Sequence, residues 1–385
     1  MKKRILLILS VLFFLCACEN DEPVPEPHVS GRTVLVWLAG DNDLYPEVTH
    51  KLSAIAEGFR NAAPSDCRLL VYTDRRGHYP QLIEITPDGN RVVLETYPAQ
   101  NSASPETLSR ILGYMLSLAP ARHYGLVLFS HATGWLPQGA LENPAQEEKP
   151  QSRSIFDDNG QQMTLTGFAE ALPADVRFDY IVFENCFMGG AEVAYALRDK
   201  ADRLLVSSAE ILSTGFEEIY ASSFCKLILP LPDLDGFAAD YYNYRNAKSG
   251  NHRSATVSVI NTTAMPRLAS LAAEIIGGSS PLDEEKLKSM QRFNRHNYTL
   301  FFDLEEYLCE LAPGRAAEIR CAISSAVEYA AATDYFMPNY DHGFHIARHC
   351  GLTVYIPQSC FPTLNAAYKG TDWYSIQAGD DSELP

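Results

Sequence analysis

Short runs of apolar residues alternate with polar segments along most of the chain from Arg32 onward. Five runs have the length of a strand and stay mainly apolar, as strands buried on both faces of a sheet do; they lie at 33–40, 68–74, 124–130, 179–185 and 203–210. Residues 105–118 place apolar side chains on one helical face, with Ser104 as the N-cap and Pro105 in the first turn. The alternation predicts an α/β fold, a mostly parallel sheet flanked by helices on both faces.

Residues 32–230 hold this pattern and form one predicted domain. Within it, residues 81–86 and 91–97 are typical of a β-hairpin, since a turn sequence separates two β-prone runs. Residues 136–153 are polar, contain three prolines and lack periodicity. They therefore predict an exposed loop that is open to cleavage.

Residues 231–385 are less regular. Helix-like stretches at 264–276 and 315–332 and strand-like stretches at 254–260 and 351–357 occur there. They predict a smaller α/β portion that extends or flanks the sheet and completes the fold.

The N-terminus has the features of an export signal. Three basic residues precede an apolar segment too short to span a membrane, which predicts a signal peptide over residues 1–17. The end of this segment, LCAC, resembles the bacterial lipobox, in which the last cysteine, here Cys18, carries the lipid; a plain cleaved signal peptide is the alternative. Residues 18–31 are acidic and rich in proline, as a tether would be. The predicted location is the outer membrane or the cell surface, with the periplasmic side as the alternative.

Charge and cysteine content exclude several classes of protein. The formal net charge is −17, which disfavours nucleic acid as a partner and favours cationic ones. Nine cysteines occur, and the seven beyond the signal region have no spacing typical of zinc sites or disulfide scaffolds. An odd number leaves at least one thiol unpaired, and Cys186 is the candidate.

Two residues that could carry chemistry directly follow apolar strand-like runs. His131 follows YGLVLFS, and Cys186 closes the run DYIVFEN. The carboxyl ends of parallel strands meet at one edge of a sheet, where ligands bind, and neighbouring strands lie about 4.8 Å apart. We therefore expect the thiol and the imidazole to share a substrate, although either residue alone would more often be structural.

Such a pair suits cleavage of a peptide bond. A thiolate attacks the carbonyl carbon, and a nearby imidazole takes up the thiol proton and later protonates the leaving amine. The backbone N–H groups of Ala132 and Cys186 are the candidates for an oxyanion hole.

Several segments of the chain resemble the clostripain-type cysteine peptidases, which share the caspase-like fold of caspases, legumains and gingipains. VLVWLAGDNDL resembles the family's first strand, HYGLVLFSHATGW its histidine segment, and DYIVFENCFMGGAEVAYALRDKADRLLVSSAE its nucleophile segment. FFDLEEYL and GLTVYIP resemble two later landmarks, so the similarity covers roughly residues 32 to 360. The resemblance implies Cys186 as the nucleophile, His131 as the general acid and base, and residues 32–230 as the catalytic domain.

Two positions depart from the family pattern. Ala132 stands where the family has glycine, and if that turn required φ > 0 the methyl group would add strain of roughly 1 kcal/mol or more. Glu184 stands where the family has an aspartate in the pocket that selects Arg or Lys. It is predicted to bind a basic P1 residue, with a structural hydrogen-bond acceptor at the strand end as the alternative. The resemblance also implies self-processing in the loop before the nucleophile, after Lys149 or Arg153.

The sequence thus predicts a lipid-anchored cysteine endopeptidase that cleaves peptides or proteins after Arg or Lys. Two alternatives stay open: an inert surface lipoprotein of the same fold that binds peptides or glycans, and a metal-dependent hydrolase. The metal would need the helically spaced His342, His345 and His349. Asp157 and Asp158 lack EF-hand spacing and indicate a turn. The chemistry requires no cofactor, and the resemblance adds calcium as a candidate ligand.

Overall fold

The computed structural model describes residues 29–146 and 155–377. Its strands are β1 (Ser30–Gly40), β2 (Cys67–Arg75), β3 (Gln81–Ile85), β4 (Arg91–Thr96), β5 (Ala121–Phe129), β6 (Ile155–Asp158), β7 (Gln161–Met163), β8 (Phe178–Glu184), β9 (Ala201–Val206), β10 (Thr256–Asn261), β11 (Phe302–Asp303), β12 (Val327–Ala332), β13 (Tyr335–Phe336), β14 (Phe344–His345) and β15 (Thr353–Val354). Its α-helices are α1 (Tyr45–Ala62), α2 (Pro105–Leu118), α3 (Leu165–Ala171), α4 (Ala191–Ala196), α5 (Glu217–Ser223), α6 (Leu234–Asn246), α7 (Met265–Gly277), α8 (Glu284–Ser289), α9 (Leu304–Leu311), α10 (Ala316–Ala326), α11 (Pro362–Tyr368) and α12 (Asp372–Gln377).

A nine-stranded sheet forms the centre of the molecule, in the order β12-β10-β9-β8-β5-β1-β2-β3-β4. The five central strands β9, β8, β5, β1 and β2 are parallel. The strands on either side are antiparallel, namely the hairpin of β3 and β4 at one edge and β10 with β12 at the other. The predicted α/β class, with a mostly parallel central sheet, is confirmed.

Side chains of β1 alternate between two buried layers, which explains its uninterrupted apolar sequence. Val34, Val36 and Leu38 face a core that includes residues of α1, α5 and α6. Leu35 and Trp37 face the opposite core, which holds residues of α2, α3, α4, α7 and α10. The helices on both faces exclude water from the strands, so the side chains with chemistry lie in the loops at the strand ends.

Most predicted elements are present, and Ser104 caps α2 by accepting a hydrogen bond from the backbone N–H of Thr107 at 3.3 Å. Three predictions were wrong in extent. The helix predicted over 315–332 ends at Ala326 and continues as strand β12. The strand predicted over 351–357 is reduced to β15, which pairs with β11 outside the central sheet. The predicted exposed loop begins with buried residues, among them Leu136 and Ala140.

Cys18, Lys149 and Arg153 lie outside the described residues, so the lipid anchor and the cleavage sites stay predictions. Within residues 29–146 and 155–377, no helix has the length and apolar character that crossing a membrane requires.

Candidate active site

The ends of β5 and β8 bring the two predicted catalytic residues to the same edge of the sheet. The parallel register pairs Phe129 with Glu184 as the last partners. One residue further on, the side-chain amide of Asn185 donates a hydrogen bond to the backbone carbonyl of Ser130 at 2.8 Å. His131 and Cys186 directly follow this bonded pair. The cross-strand bond therefore fixes the backbones next to both residues relative to each other.

The turn that carries Cys186 has an unusual backbone conformation. Phe187, the next residue, has φ of +60°, a left-handed conformation that is uncommon for a residue with a large side chain. Its N–H donates to the carbonyl of Ala209 at 3.0 Å, and the N–H of Gly189 donates to the carbonyl of Ser207 at 2.8 Å. These bonds to the loop after β9 stabilise a tight turn that presents Cys186 at the strand end.

The thiol of Cys186 rests against the same loop after β9. The Ile211 N–H donates to Sγ at 3.3 Å. Burial raises the pKa of the Cys186 thiol to about 12, although the Ile211 N–H acts in the opposite direction. In this conformation the sulfur is protonated at neutral pH, so reaction requires transfer of the thiol proton to a base.

His131 contacts an acid that the sequence analysis did not single out. Its Nε2 lies 2.7 Å from Oδ1 of Asp43, and the hydrogen bond to His131 lowers the pKa of the Asp43 carboxyl. Asp43 lies in the turn after β1, the strand next to β5. Among the described residues, no hydrogen bond joins the imidazole directly to the Cys186 thiol. The structure thus holds the two groups at adjacent strand ends, each with its own partner.

The turn after His131 does not strain Ala132. Its φ is not in the left-handed region, which falls instead on Gly134, with φ of +69°. A Cβ at Gly134 would lie 2.6 Å from the carbonyl oxygen of Phe187. The glycine that this segment requires is therefore Gly134, two residues after Ala132.

Glu184 occupies a fully enclosed position at the end of β8. Its carboxylate accepts hydrogen bonds from the ammonium of Lys51 at 2.5 Å, from the hydroxyl of Tyr220 at 2.8 Å and from the backbone N–H of Phe216. Lys51 is also completely buried and donates to the carbonyl of Thr214 at 2.7 Å. This arrangement corresponds to the structural alternative for Glu184, because the charge is neutralised and both oxygens are engaged.

The three C-terminal histidines do not share a helical face, so the spacing on which the metal-dependent alternative depended is not present. His345 belongs to β14, and His342 has φ of +60°. The His349 ring is buried, and its Nε2 lies 3.0 Å from the hydroxyl of Ser208. Burial lowers the pKa of His349 to about 4. Within the part of the chain that the structure describes, no three His, Cys, Asp or Glu residues are arranged to hold a metal ion.

Asp157 and Asp158 lie at the end of β6, in a hairpin with β7, in accordance with the predicted turn. The Gly160 N–H donates to Oδ1 of Asp157 at 3.1 Å.

All seven described cysteines are free thiols.

Sequence reasoning missed two kinds of residue around Cys186. Lys51 lies on the same helical face as Val48, Leu52 and Ile55 of α1, and a lysine on an otherwise apolar face is a signal of a buried partner. Glu210 and Arg295 are 85 residues apart and pair next to the loop that holds the thiol. No local pattern connects those two positions.

Comparison with known proteins shows to which family the chain belongs. Residues 36–306 match the model of the family described as Peptidase_C11, Clostripain family. The chain belongs to the clostripain family. This confirms the resemblance inferred from the sequence and supports a cysteine peptidase. A search of curated proteins found no match.

Three solved structures illustrate the relationship. An inactive zymogen C11 protease from Parabacteroides distasonis is 32% identical, with a TM-score of 0.78 over 91% of this chain and 99% of that one. A secreted C11 cysteine protease from Bacteroides thetaiotaomicron in complex with an irreversible peptide inhibitor is 25% identical, with a TM-score of 0.78 over 91% of this chain and 99% of that one. A clostripain from B. thetaiotaomicron, in complex with the peptide inhibitor BTN-VLTK-AOMK, is 25% identical, with a TM-score of 0.51 over 57% of this chain and 96% of that one.

Proposed function

We propose that this clostripain-family chain is an exported cysteine endopeptidase that cleaves peptide bonds after Arg or Lys, with Cys186 as the nucleophile and His131 as the general acid and base. The observation that carries the proposal is the hydrogen bond between the Asn185 side chain and the Ser130 carbonyl. It ties together the two strand ends from which the thiol and the imidazole project. A substrate carbonyl bound at this edge has both groups on adjacent strands.

The reaction starts with transfer of the Cys186 proton to the imidazole of His131. The thiolate attacks the scissile carbonyl carbon, and the carbonyl oxygen takes the negative charge. Backbone N–H groups of Ala132 and Cys186 are the proposed donors to this oxyanion. Collapse of the tetrahedral intermediate breaks the C–N bond, and the imidazolium protonates the departing amine. Water then hydrolyses the thioester, with the imidazole as the base, and regenerates the thiol.

The preference for a basic P1 residue rests on two observations. The inhibitor of the related B. thetaiotaomicron clostripain carries lysine before its reactive group. The present chain has a formal net charge of −17, which attracts cationic peptides by long-range electrostatics. Glu184 is not assigned to this preference, because Lys51 already neutralises it.

The geometry around the thiol suits a dormant form of the enzyme. The Cys186 thiol is partly enclosed, its hydrogen bonds among the described residues go to Ile211 and not to His131, and burial raises its pKa. A solved relative that is 32% identical is an inactive zymogen. We therefore propose that cleavage after Lys149 or Arg153 precedes full activity. Calcium stays a candidate ligand, and the proposed chemistry does not require it.

Export is proposed from the N-terminal sequence and from a related protease that is secreted. Lipidation at Cys18 would hold the enzyme at the outer membrane or the cell surface, with residues 18–31 as the tether. Mass spectrometry of the N-terminal peptide of the mature chain tests this. A diacylglyceryl modification of Cys18 is expected, and an unmodified mature N-terminus elsewhere would contradict it.

The decisive experiment for the activity uses the full chain purified in mild detergent and a fluorogenic peptide panel that varies only at P1. We expect the wild type to cleave after Arg and Lys and to react stoichiometrically with a lysine-directed acyloxymethyl ketone. Cys186→Ala should abolish both turnover and labelling. Cys321→Ala is the matched control, because Cys321 is an exposed thiol far along the chain on α10; it should retain both. Hydrolysis by Cys186→Ala would contradict the assignment of the nucleophile.

Self-processing is tested separately with Lys149→Gln and Arg153→Gln. We expect the pair of substitutions to leave a single intact band on incubation, whereas the wild type yields two fragments. Fragmentation of the double variant at the same position would rule out both sites.

A further inference from the structure

Glu210 lies next to the nucleophile on the loop after β9. It directly precedes Ile211, whose N–H donates to the sulfur of Cys186. The charge of Glu210 raises the pKa of the Cys186 thiol, and that of Arg295 lowers it, so both charges are close enough to act on the sulfur. A substrate bound to Cys186 would place its P1 side chain near this acid.

Only one of the two carboxylate oxygens of Glu210 accepts hydrogen bonds from Arg295. Nε and Nη2 of Arg295 both approach the same oxygen, Oε1, at 2.9 Å. The second oxygen, Oε2, is buried and has no hydrogen-bond partner among the described residues. A guanidinium group that pairs optimally with a carboxylate uses both oxygens through two parallel hydrogen bonds. The site therefore has an acceptor that its present occupant leaves free.

Arg295 reaches Glu210 from an irregular segment that packs over the turn at Cys186 and Phe187. The segment runs from Met290 to Phe301, between α8 and β11. The ring of Phe301 stacks on the ring of Phe187 at 4.7 Å between centroids. The guanidinium of Arg295 also lies 5.7 Å from the ring centroid of Tyr340, which is exposed. Arg295 thus has solvent on one side and the acid beside Cys186 on the other.

We infer that Glu210 is the residue that binds the basic P1 side chain, and that Arg295 occupies this acid in the substrate-free enzyme as an intramolecular competitor. The inference rests on the proposed function, since it assigns the residue behind the P1 preference. The two acids near Cys186 differ in this respect. Glu184 accepts from three buried donors, whereas Glu210 has a single cationic partner and a free oxygen.

The exchange is chemically simple. An incoming Arg or Lys side chain replaces one cation by another on the same carboxylate, so no buried charge is left unpaired. Simultaneous binding of both cations to one carboxylate is opposed by their mutual repulsion. Arg295 therefore has to move aside toward solvent and Tyr340 when a basic P1 residue binds. A substrate with an uncharged P1 side chain cannot displace Arg295 in this way.

The first test removes the competitor. In the full chain purified in mild detergent, we expect Arg295→Gln to lower KM for P1 Arg peptides by about tenfold, the equivalent of one charge-assisted hydrogen bond, and to leave KM for P1 Leu peptides unchanged. Arg292→Gln is the matched control. Arg292 lies on the same segment and donates to the carbonyls of His296 and His342. If it lowers KM as much as Arg295→Gln does, loosening of the segment causes the effect and the inference is wrong.

The second test removes the acid. Glu210→Gln should reduce the ratio of kcat/KM for P1 Arg over P1 Leu by about 10- to 100-fold, since a buried charged pair with the substrate is lost. Unchanged preference for Arg with retained activity would overturn the inference while leaving the proposed protease intact. Absence of cleavage by the wild type would instead contradict the proposed function.

A binding measurement keeps the inference testable without turnover. Agmatine, which carries the guanidinium of arginine and has no peptide bond to cleave, is titrated calorimetrically into the self-processed chain with Cys186 intact. We expect Arg295→Gln on this background to bind agmatine about tenfold more tightly and Glu210→Gln to lose binding. If the Glu210 variant does not fold, equal agmatine affinity with and without Arg295 overturns the inference on its own.

Discussion

Lys51 is fully buried on helix α1, and its ammonium has no access to water. Its charge is balanced by Glu184 at 2.5 Å and supported by the Thr214 carbonyl and by the ring of Phe129, 4.4 Å from Nζ. Removing one partner of such a pair leaves an uncompensated buried charge, whereas removing both need not destabilise the fold. The pair thus links α1 to the end of β8, which Cys186 follows.

This gives a prediction for stability. Lys51→Met should lower the free energy of unfolding by about 3–5 kcal/mol, because Glu184 then stays buried without a counter-charge. Urea unfolding followed by circular dichroism measures the change. The double variant Lys51→Met/Glu184→Gln should recover a large part of the loss, and a double variant as unstable as the single one would contradict the charge argument.

We predict that Asp43 is a positioning residue for His131, the proposed general acid and base. The pair is exposed, with 79% of the Asp43 side chain accessible to solvent, and exposed ion pairs contribute roughly 0.2–1 kcal/mol. Asp43→Asn should therefore reduce kcat/KM by no more than about fivefold. The reduction should shrink at about 1 M salt, where charges are screened within about 3 Å. Asp41→Asn, two residues earlier, is the control; a salt-independent loss would indicate a purely structural effect of Asp43.

At the level of elements, the turn that follows Cys186 and the turn that follows His131 pack closely against each other. Gly134 approaches the carbonyl of Phe187 so closely that a Cβ would lie 2.6 Å away. Phe187 itself holds φ of +60°. This left-handed conformation stores strain of order 1–3 kcal/mol, which persists because the bonds to Ala209 and Ser207 hold the surrounding backbone. Displacing either turn should misplace the thiol relative to the imidazole.

Two glycine substitutions distinguish the coupling of the two turns from the general effect of replacing glycine by alanine. Gly134→Ala should lower kcat/KM by at least about 100-fold, since misplacement of catalytic groups by about 1 Å has that effect. Gly113→Ala, at an exposed position of α2 where a Cβ meets nothing within 4 Å, should instead raise the free energy of unfolding by about 0.5–1 kcal/mol. Activity assays and urea unfolding on both variants check this. Full activity of Gly134→Ala would mean that the two turns are not coupled.

The strands were predictable because burial on both faces leaves a simple apolar signature, as in β1, β5 and β8. Strand β12 was not predictable in this way. Its sequence, VEYAAA, favours a helix locally, and the segment becomes a strand through pairing with β10. The register of β5 and β8 likewise accounts for the successful placement of His131 and Cys186 at one edge. Sequence order and the rule that strand ends converge were sufficient for that prediction.

The charge partners could not be predicted in the same way. Lys51 and Glu184 are 133 residues apart, and Arg295 and Glu210 are 85 apart. Each pair forms only when the whole sheet and its connecting segments are assembled. Glu184, two residues before Cys186, was predicted from the family pattern to bind substrate, whereas tertiary packing gives it an internal lysine.

At the scale of the whole molecule, two buried acids link folding stability to pH. Burial raises the pKa of Glu192 and that of Asp74 to about 7, from ordinary values of 4.5 and 3.8. Glu192 accepts a hydrogen bond from the backbone N–H of Tyr355 at 2.8 Å, and its second oxygen has no partner among the described residues. Each carboxyl therefore binds its proton more tightly in the folded state than in the unfolded state. The resulting stability is fully present below about pH 4 and is lost as pH rises through 7.

The free energy of unfolding should accordingly fall between pH 5 and pH 8, with a contribution on the order of 3 kcal/mol from Glu192 alone. Urea unfolding at several pH values measures the slope. Glu192→Gln stays neutral at every pH, so it should flatten the curve and be relatively more stable than the wild type at pH 8. Glu57→Gln, at an exposed position on α1, should leave the slope unchanged. If the two variants have the same slope, Glu192 is ionised in the folded protein at pH 5, and its environment is more polar than the buried contacts around Tyr355 imply.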